Sequence, residues 1–168
     1  KNISESNFLL VCGTRDFDHT LKNYLKELDE GLKFNLPLVC ANPDKVVIRK
    51  DGNLIVCAGI LADYYKSHGG KVFYFGKPYK EVYKKCLAYL SKVKPTISNK
   101  NILVIGDSLE TDILGANKAG IKSLLIADGI HSKQLYNNVH SNLSLKNLTT
   151  LSKKFSAFPD YLIKSFIF

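Results

Sequence analysis

The chain has 168 residues, 45% hydrophobic and 23% charged, the balance of an ordinary globular domain rather than a disordered chain. No apolar run reaches the roughly 18 residues that a membrane-spanning helix needs. The net charge of +9 comes from 24 basic and 15 acidic residues, and only Arg15 and Arg49 are arginines. Scattered lysines, without arginine forks or aromatic platforms, predict a solvated surface that attracts small anions and not a nucleic-acid interface. Methionine is absent altogether, which raises the expectation that the chain is a portion of something longer. The polar start Lys1 to Glu5 predicts no signal peptide. Cys12, Cys40, Cys57 and Cys86 lack CxxC spacing and are expected to be buried, reduced thiols of a cytoplasmic protein.

Strands and helices alternate, the pattern of an α/β architecture. Phe8 to Cys12 is a short apolar strand, followed by a helix over about 18–34 in which Leu21, Tyr24, Leu25, Leu28 and Leu32 recur at helical spacing. Leu36 to Ala41 is a second strand. Val46 to Arg49 and Leu54 to Cys57 flank Lys50-Asp51-Gly52-Asn53 as a β-hairpin. A helix over Ile60 to Ser67 stops at Gly69 or Gly70, and Val72 to Phe75 returns as a strand. Pro78 suits the first turn of a helix running to about Leu90. Asn101 to Gly106 is an apolar strand of the kind covered on both faces, joined through a helix capped by Gly120 to the strand Ser123 to Ala127. This is a right-handed βαβ unit. A last helix spans about 143–155, and the aromatic residues of 155–168 are expected to pack on the core.

The strongest chemical signal is Gly106-Asp107-Ser108-Leu109-Glu110-Thr111-Asp112, directly after a strand. Side chains at the carboxyl end of a parallel strand face the ligand crevice. Two carboxylates there suit a hard cation such as Mg²⁺, with Asp107 binding directly and Asp112 orienting a water or neighbouring ligand. The bland alternative makes Asp107 a helix cap and leaves Asp112 to favour the helix's positive end. Gly76-Lys77-Pro78, about 30 residues earlier, holds an ammonium at a strand-to-helix junction where it can neutralise phosphate.

With these motifs the sequence resembles the haloacid dehalogenase (HAD) superfamily of phosphatases, and most of all its subfamily IIA, the NagD-like group. The matching stretches are Cys40-Ala-Asn-Pro-Asp44, Cys57 to Tyr65, Gly69-Gly70, Gly76-Lys77-Pro78, Gly106 to Gly120 and Pro159 to Phe168. The resemblance implies a partial HAD-like Rossmannoid core over 76–168 and part of an α/β C2-type cap over 1–75. It implies that Lys77 contacts nucleophile and phosphate, that Asp107 is a Mg²⁺ ligand and that Asp112 supports it. Asn42, Asp44, Gly76 and Ser108 are assigned to substrate binding. The reaction so implied is hydrolysis of a small phosphorylated metabolite through an aspartyl-phosphate, split into two easier steps.

That chemistry needs an Asp nucleophile and an Asp acid/base at the end of an apolar strand. Asp16-Phe17-Asp18 offers the spacing, and would make the chain a complete capless phosphatase. Gly13-Thr14-Arg15 separates it from its strand, however, so a turn before a helix is the expected reading. The nucleophile motif is then missing and the chain alone is expected to be inactive. The strand Ile102 to Gly106 would keep an open apolar edge, inviting self-association or pairing with an N-terminal part. The alternative is a catalytically dead remnant serving as a binding or assembly module. His19, His68, His131 and His140 are scattered and are expected at the surface.

Overall fold

Short apolar runs separated by turn residues can bury backbone only by pairing with one another, and here they do so in three separate sheets. The computed structural model describes residues 2–49, 52–136 and 142–167. They divide between two compact units, Lys1–Gly76 and Lys77–Phe168.

In the first unit, β1 (Leu9–Val11) is followed by a 3₁₀ turn over Leu21–Tyr24 and by α1 (Leu25–Lys33). Then come β2 (Leu38–Cys40), β3 (Val46–Ile48), β4 (Leu54–Val56), α2 (Ala58–Ser67) and β5 (Val72–Tyr74). β1, β2 and β5 form a parallel sheet with β2 in the middle, and β3 and β4 pair as an antiparallel hairpin. Lys50 and Asp51, at the tip of the expected hairpin turn, lie outside the described residues. Leu9, Val11, Leu38, Cys40, Val72 and Tyr74 share one face of the parallel sheet. There they form one core with Tyr24, Leu28 and, from α2, Leu61, Ala62 and Tyr65. Leu10 and Phe73, on the opposite face, are exposed.

The helix expected over 18–34 starts later and in two steps. Thr20 and Asn23 make a capping box at the 3₁₀ turn, so Asp16 and Asp18 sit in the turn ahead of the helix.

The second unit contains α3 (Lys80–Val93), β6 (Leu103–Gly106), a π-helical turn over Leu109–Ile113, α4 (Leu114–Ala119) and β7 (Lys122–Ile126). It continues with α5 (Ser132–Leu135), α6 (Leu145–Phe155) and β8 (Tyr161–Ile163). All three strands are parallel in the order β6-β7-β8. Leu125 and Leu162 face a core built with Leu109, Ile113, Leu135 and Leu151. Gly120 takes the left-handed conformation, φ 67°, that ends α4.

Four expectations need correction. Pro78 does not open a helix: the Lys77–Pro78 peptide is cis, and α3 begins at Lys80 with Tyr79 at its N-cap. β6 is not covered on both faces, because Leu103 and Ile105 are each 41% exposed. Of the tail's aromatic residues Phe155 packs on the core as expected, but the tail also supplies β8, and Phe158, Tyr161 and Phe166 remain exposed. Its path is fixed by polar pairs: Asn117 exchanges two hydrogen bonds with the Phe158 backbone, and Ser123 N–H donates to Asp160 Oδ2 at 2.9 Å. Finally, only Cys40 and Cys57 are buried; Cys12 and Cys86 are exposed.

Candidate active site

The carboxyl end of β6 delivers Asp107 and the loop beyond it. Ser108 is the N-cap, its hydroxyl accepting the Thr111 N–H at 3.2 Å. Asp107 is therefore not the cap. Its half-buried carboxylate instead accepts the Ile130 N–H through Oδ2 at 3.0 Å, and Oδ1 accepts no hydrogen bond among the described residues. Gly129 makes this approach possible, since a β-carbon there would overlap the Asp107 carboxylate.

Asp112 is almost fully buried, with 7% of its side chain exposed, and both its oxygens are engaged. Oδ2 accepts the Ser108 N–H at 3.1 Å, while Oδ1 takes the Lys77 ammonium at 2.5 Å. Gly106 lies against the Asp112 carboxylate so closely that a β-carbon would overlap it. The ion pair is thus Asp112 holding Lys77, and the oxygen left open to a cation belongs to Asp107. An oxygen-only donor with a free lone pair at a strand end suits one position in the shell of a hard dication, which fills the others with water or phosphate oxygens. The residues present fit Mg²⁺ in that limited sense.

Two residues that the motifs did not point to complete the surroundings. Tyr83 of α3 lies against Gly115 of α4, where no β-carbon would fit, and its hydroxyl donates to the Asp112 carbonyl at 3.4 Å. Burial, followed by the Asp112 charge, pushes its phenol up to about 12. His131 is buried, contrary to the surface expected for it, and its Nε2 accepts the Leu109 N–H at 3.1 Å. His140 lies outside the described residues. Tyr83 gives a plain helical core signal in the sequence, and the one local signal for His131 is its place in Gly129-Ile130-His131, just after the strand Ser123 to Ala127, which reads equally as a plain loop.

Asn42, Asp44 and Gly76 meet in the first unit, at the carboxyl ends of β2 and β5. The Asp44 N–H donates to Asn42 Oδ1 at 3.3 Å, and the Gly59 N–H donates to the Asp44 carbonyl at 2.9 Å. Gly76, at φ 107°, adopts a conformation that glycine favours and lies against Pro43. Gly76 belongs to the first unit, whereas Lys77, Ser108, Asp107 and Asp112 belong to the second.

Asp16, Asp18 and His19 offer ligand atoms within 4.8 Å of one another. Both carboxylates are exposed, five or more residues beyond the end of β1, and His19 Nδ1 is engaged by the Tyr24 hydroxyl at 3.0 Å. No helix among the described residues is long and apolar enough to cross a membrane.

The parallel strands β6, β7 and β8 with their connecting helices have the HAD-like Rossmannoid fold of the solved structures they resemble. The HAD-hydrolase-like family model matches residues 74–151. The ribonucleotide monophosphatase NagD of Escherichia coli is 28% identical over 127 residues, covering 75% of this chain and 46% of that protein. A haloacid dehalogenase-like hydrolase from Brucella suis superposes with a TM-score of 0.76 at 30% identity, over 97% of this chain and 56% of that one. A p-nitrophenyl phosphatase from Archaeoglobus fulgidus shares the fold at a TM-score of 0.64 and 21% identity, over 98% of this chain and 56% of that one. The chain is thus similar to HAD-like hydrolases, in sequence over residues 74–151 and in fold over nearly its whole length. It spans about half the length of these relatives.

Proposed function

We propose that the chain provides the Lys77–Asp107–Asp112 part of a Mg²⁺-dependent phosphatase acting on a small phosphomonoester. The observation that carries this reading is the pairing of Lys77 with Asp112 beside an Asp107 carboxylate that keeps one oxygen open. Asp107 would hold the cation, which when bound supplies charge neutralisation on the phosphoryl oxygens. Asp112 keeps the Lys77 ammonium extended along the strand end, where it attracts the phosphoryl group and offsets charge crowding as a nucleophile approaches. Ser108 N–H is committed to Asp112, so Ser108 contributes through the shape of the loop. Asn42, Asp44 and Gly76 are assigned to the part of the protein that selects the leaving group, as residues of a cap.

The attacking carboxylate is assigned to a strand added at the open edge of β6, supplied from outside these 168 residues. Among the described strands β6 pairs only with β7, which leaves its other backbone edge open to such a partner, and Leu103 and Ile105 add an uncovered apolar face. Asp16 and Asp18 fit this role poorly, because β1 belongs to a different sheet from β6. The same open edge favours a second reading, an assembly module without turnover.

Hydrolysis of p-nitrophenyl phosphate decides among them. The chain alone is expected to match the buffer blank; strong turnover abolished by Asp16→Asn would establish a capless enzyme instead. A segment carrying an apolar strand that ends in two aspartates, encoded beside this chain and added in trans, is expected to restore Mg²⁺-dependent turnover. Lys77→Ala or Asp107→Asn should remove it. Stable assembly without turnover would favour the module.

A further inference from the structure

We propose that His131 is a positioning residue for Asp107, acting as a hydrogen-bond acceptor that clamps the loop between β6 and α4. This rests on the reading of Asp107 as a cation ligand.

The first N–H groups of a helix have no partner inside it, and in this turn they are taken one by one. Asp112 accepts from Ser108, Ser108 Oγ accepts from Thr111, and His131 Nε2 accepts from Leu109. An imidazole nitrogen that accepts from a backbone N–H carries no proton. The hydrogen therefore sits on Nδ1, which faces Gln134 Oε1 at 3.0 Å. His131 is 7% exposed, and its ring packs at a 46° tilt against Phe155 with the ring centres 5.4 Å apart, which holds it in place.

The same short segment grips the loop twice. Ile130 N–H holds Asp107 Oδ2, and the next residue holds Leu109, two positions further along. Gly129 allows the segment to come this close. Losing the second grip frees the loop to rotate about Ser108, which moves the oxygen of Asp107 that is open to a cation. Phe155 explains the aromatic ring and Leu109 explains the acceptor; histidine supplies both.

The test uses the isotope-labelled 168-residue chain. Nitrogen NMR is expected to find Nε2 unprotonated and Nδ1 protonated in His131, with slow exchange of the Leu109 and Ile130 amides in the metal-free protein. His131→Phe keeps the ring and loses the acceptor; His131→Gln keeps an acceptor oxygen. The Phe variant should speed exchange at both amides and weaken Mn²⁺ binding about tenfold, while the Gln variant restores both to within about threefold. A proton on Nε2 would overturn the proposal, as would unchanged amide exchange in a folded Phe variant. If the Phe variant does not fold, the wild-type tautomer and the Gln variant decide. Absence of Mn²⁺ binding by the wild type would overturn the ligand reading of Asp107, whereas the metal-free amide exchange decides the clamp separately.

Discussion

Lys77 Nζ lies 2.5 Å from Asp112 Oδ1, joining residues 35 positions apart. The two partners are unequal: 42% of the lysine side chain is exposed, against 7% of the aspartate. Deleting the lysine strands a buried charge, whereas neutralising the aspartate releases a lysine that water can solvate. Lys77→Ala should therefore cost more stability than Asp112→Asn, about 2 kcal/mol against about 1 kcal/mol after allowing for the lysine's exposure. The double variant should cost less than the sum. Urea unfolding of the four proteins measures this; equal single costs that add would mean that the pair is not coupled.

Gly129→Ala places a methyl group where the Asp107 carboxylate lies. Mn²⁺ affinity should fall about tenfold, as expected when a ligand's orientation is disturbed. Gly120→Ala is the contrasting variant. It has open space around it but a positive φ of 67°, so it should lose about 1 kcal/mol of stability with its metal affinity intact. Calorimetric titration and thermal melting separate the two effects.

Tyr83 makes stability sensitive to alkali. Its folded-state pKa is raised to about 12 by burial first and by the Asp112 charge second. Burial favours the neutral phenol, so its contribution is complete below the ordinary value near 10. That contribution is lost as pH climbs from there through about 12. The stability difference between wild type and Tyr83→Phe should therefore be flat below pH ~10 and change above it. Absorbance titration of phenolate and unfolding at a series of pH values check the sign.

The thiols should divide into two classes. Cys12 and Cys86 are exposed, whereas Cys40 and Cys57 are buried, and burial pushes the Cys40 thiol up to about 11. Because thiolate is the reactive form, a disulfide reagent at neutral pH should label two cysteines promptly and the other two only on unfolding. Prompt labelling of all four would show that the core around Cys40 is open.

The Gly106–Asp112 turn and Gly76-Lys77-Pro78 were legible because their chemistry is carried by residue type and spacing. A strand of apolar residues followed by two carboxylates presents its side chains at the strand's end wherever that strand is placed. The alternation of β1, α1, β2, α2 and β5 was legible for the same reason, since period and turn residues are local. Pro78 shows where locality ends. Both a helix-opening proline and a cis-proline before a helix satisfy the same tripeptide, and the path of the chain chose the second.

The sequence by itself singled out Lys77, Asp107 and Asp112 as the candidate reactive groups and pointed to parallel strands. Only the tertiary structure decided which carboxylate is engaged. Asp112 spends both oxygens on Lys77 and the Ser108 N–H, which leaves Asp107 the open one. It also decided that His131 is an acceptor inside the core and that residues 161–163 form a third strand. The physical reason is common to all three. A hydrogen bond or an ion pair is fixed by distance and direction between groups far apart in the chain, and no local pattern of residues encodes which of several donors arrives.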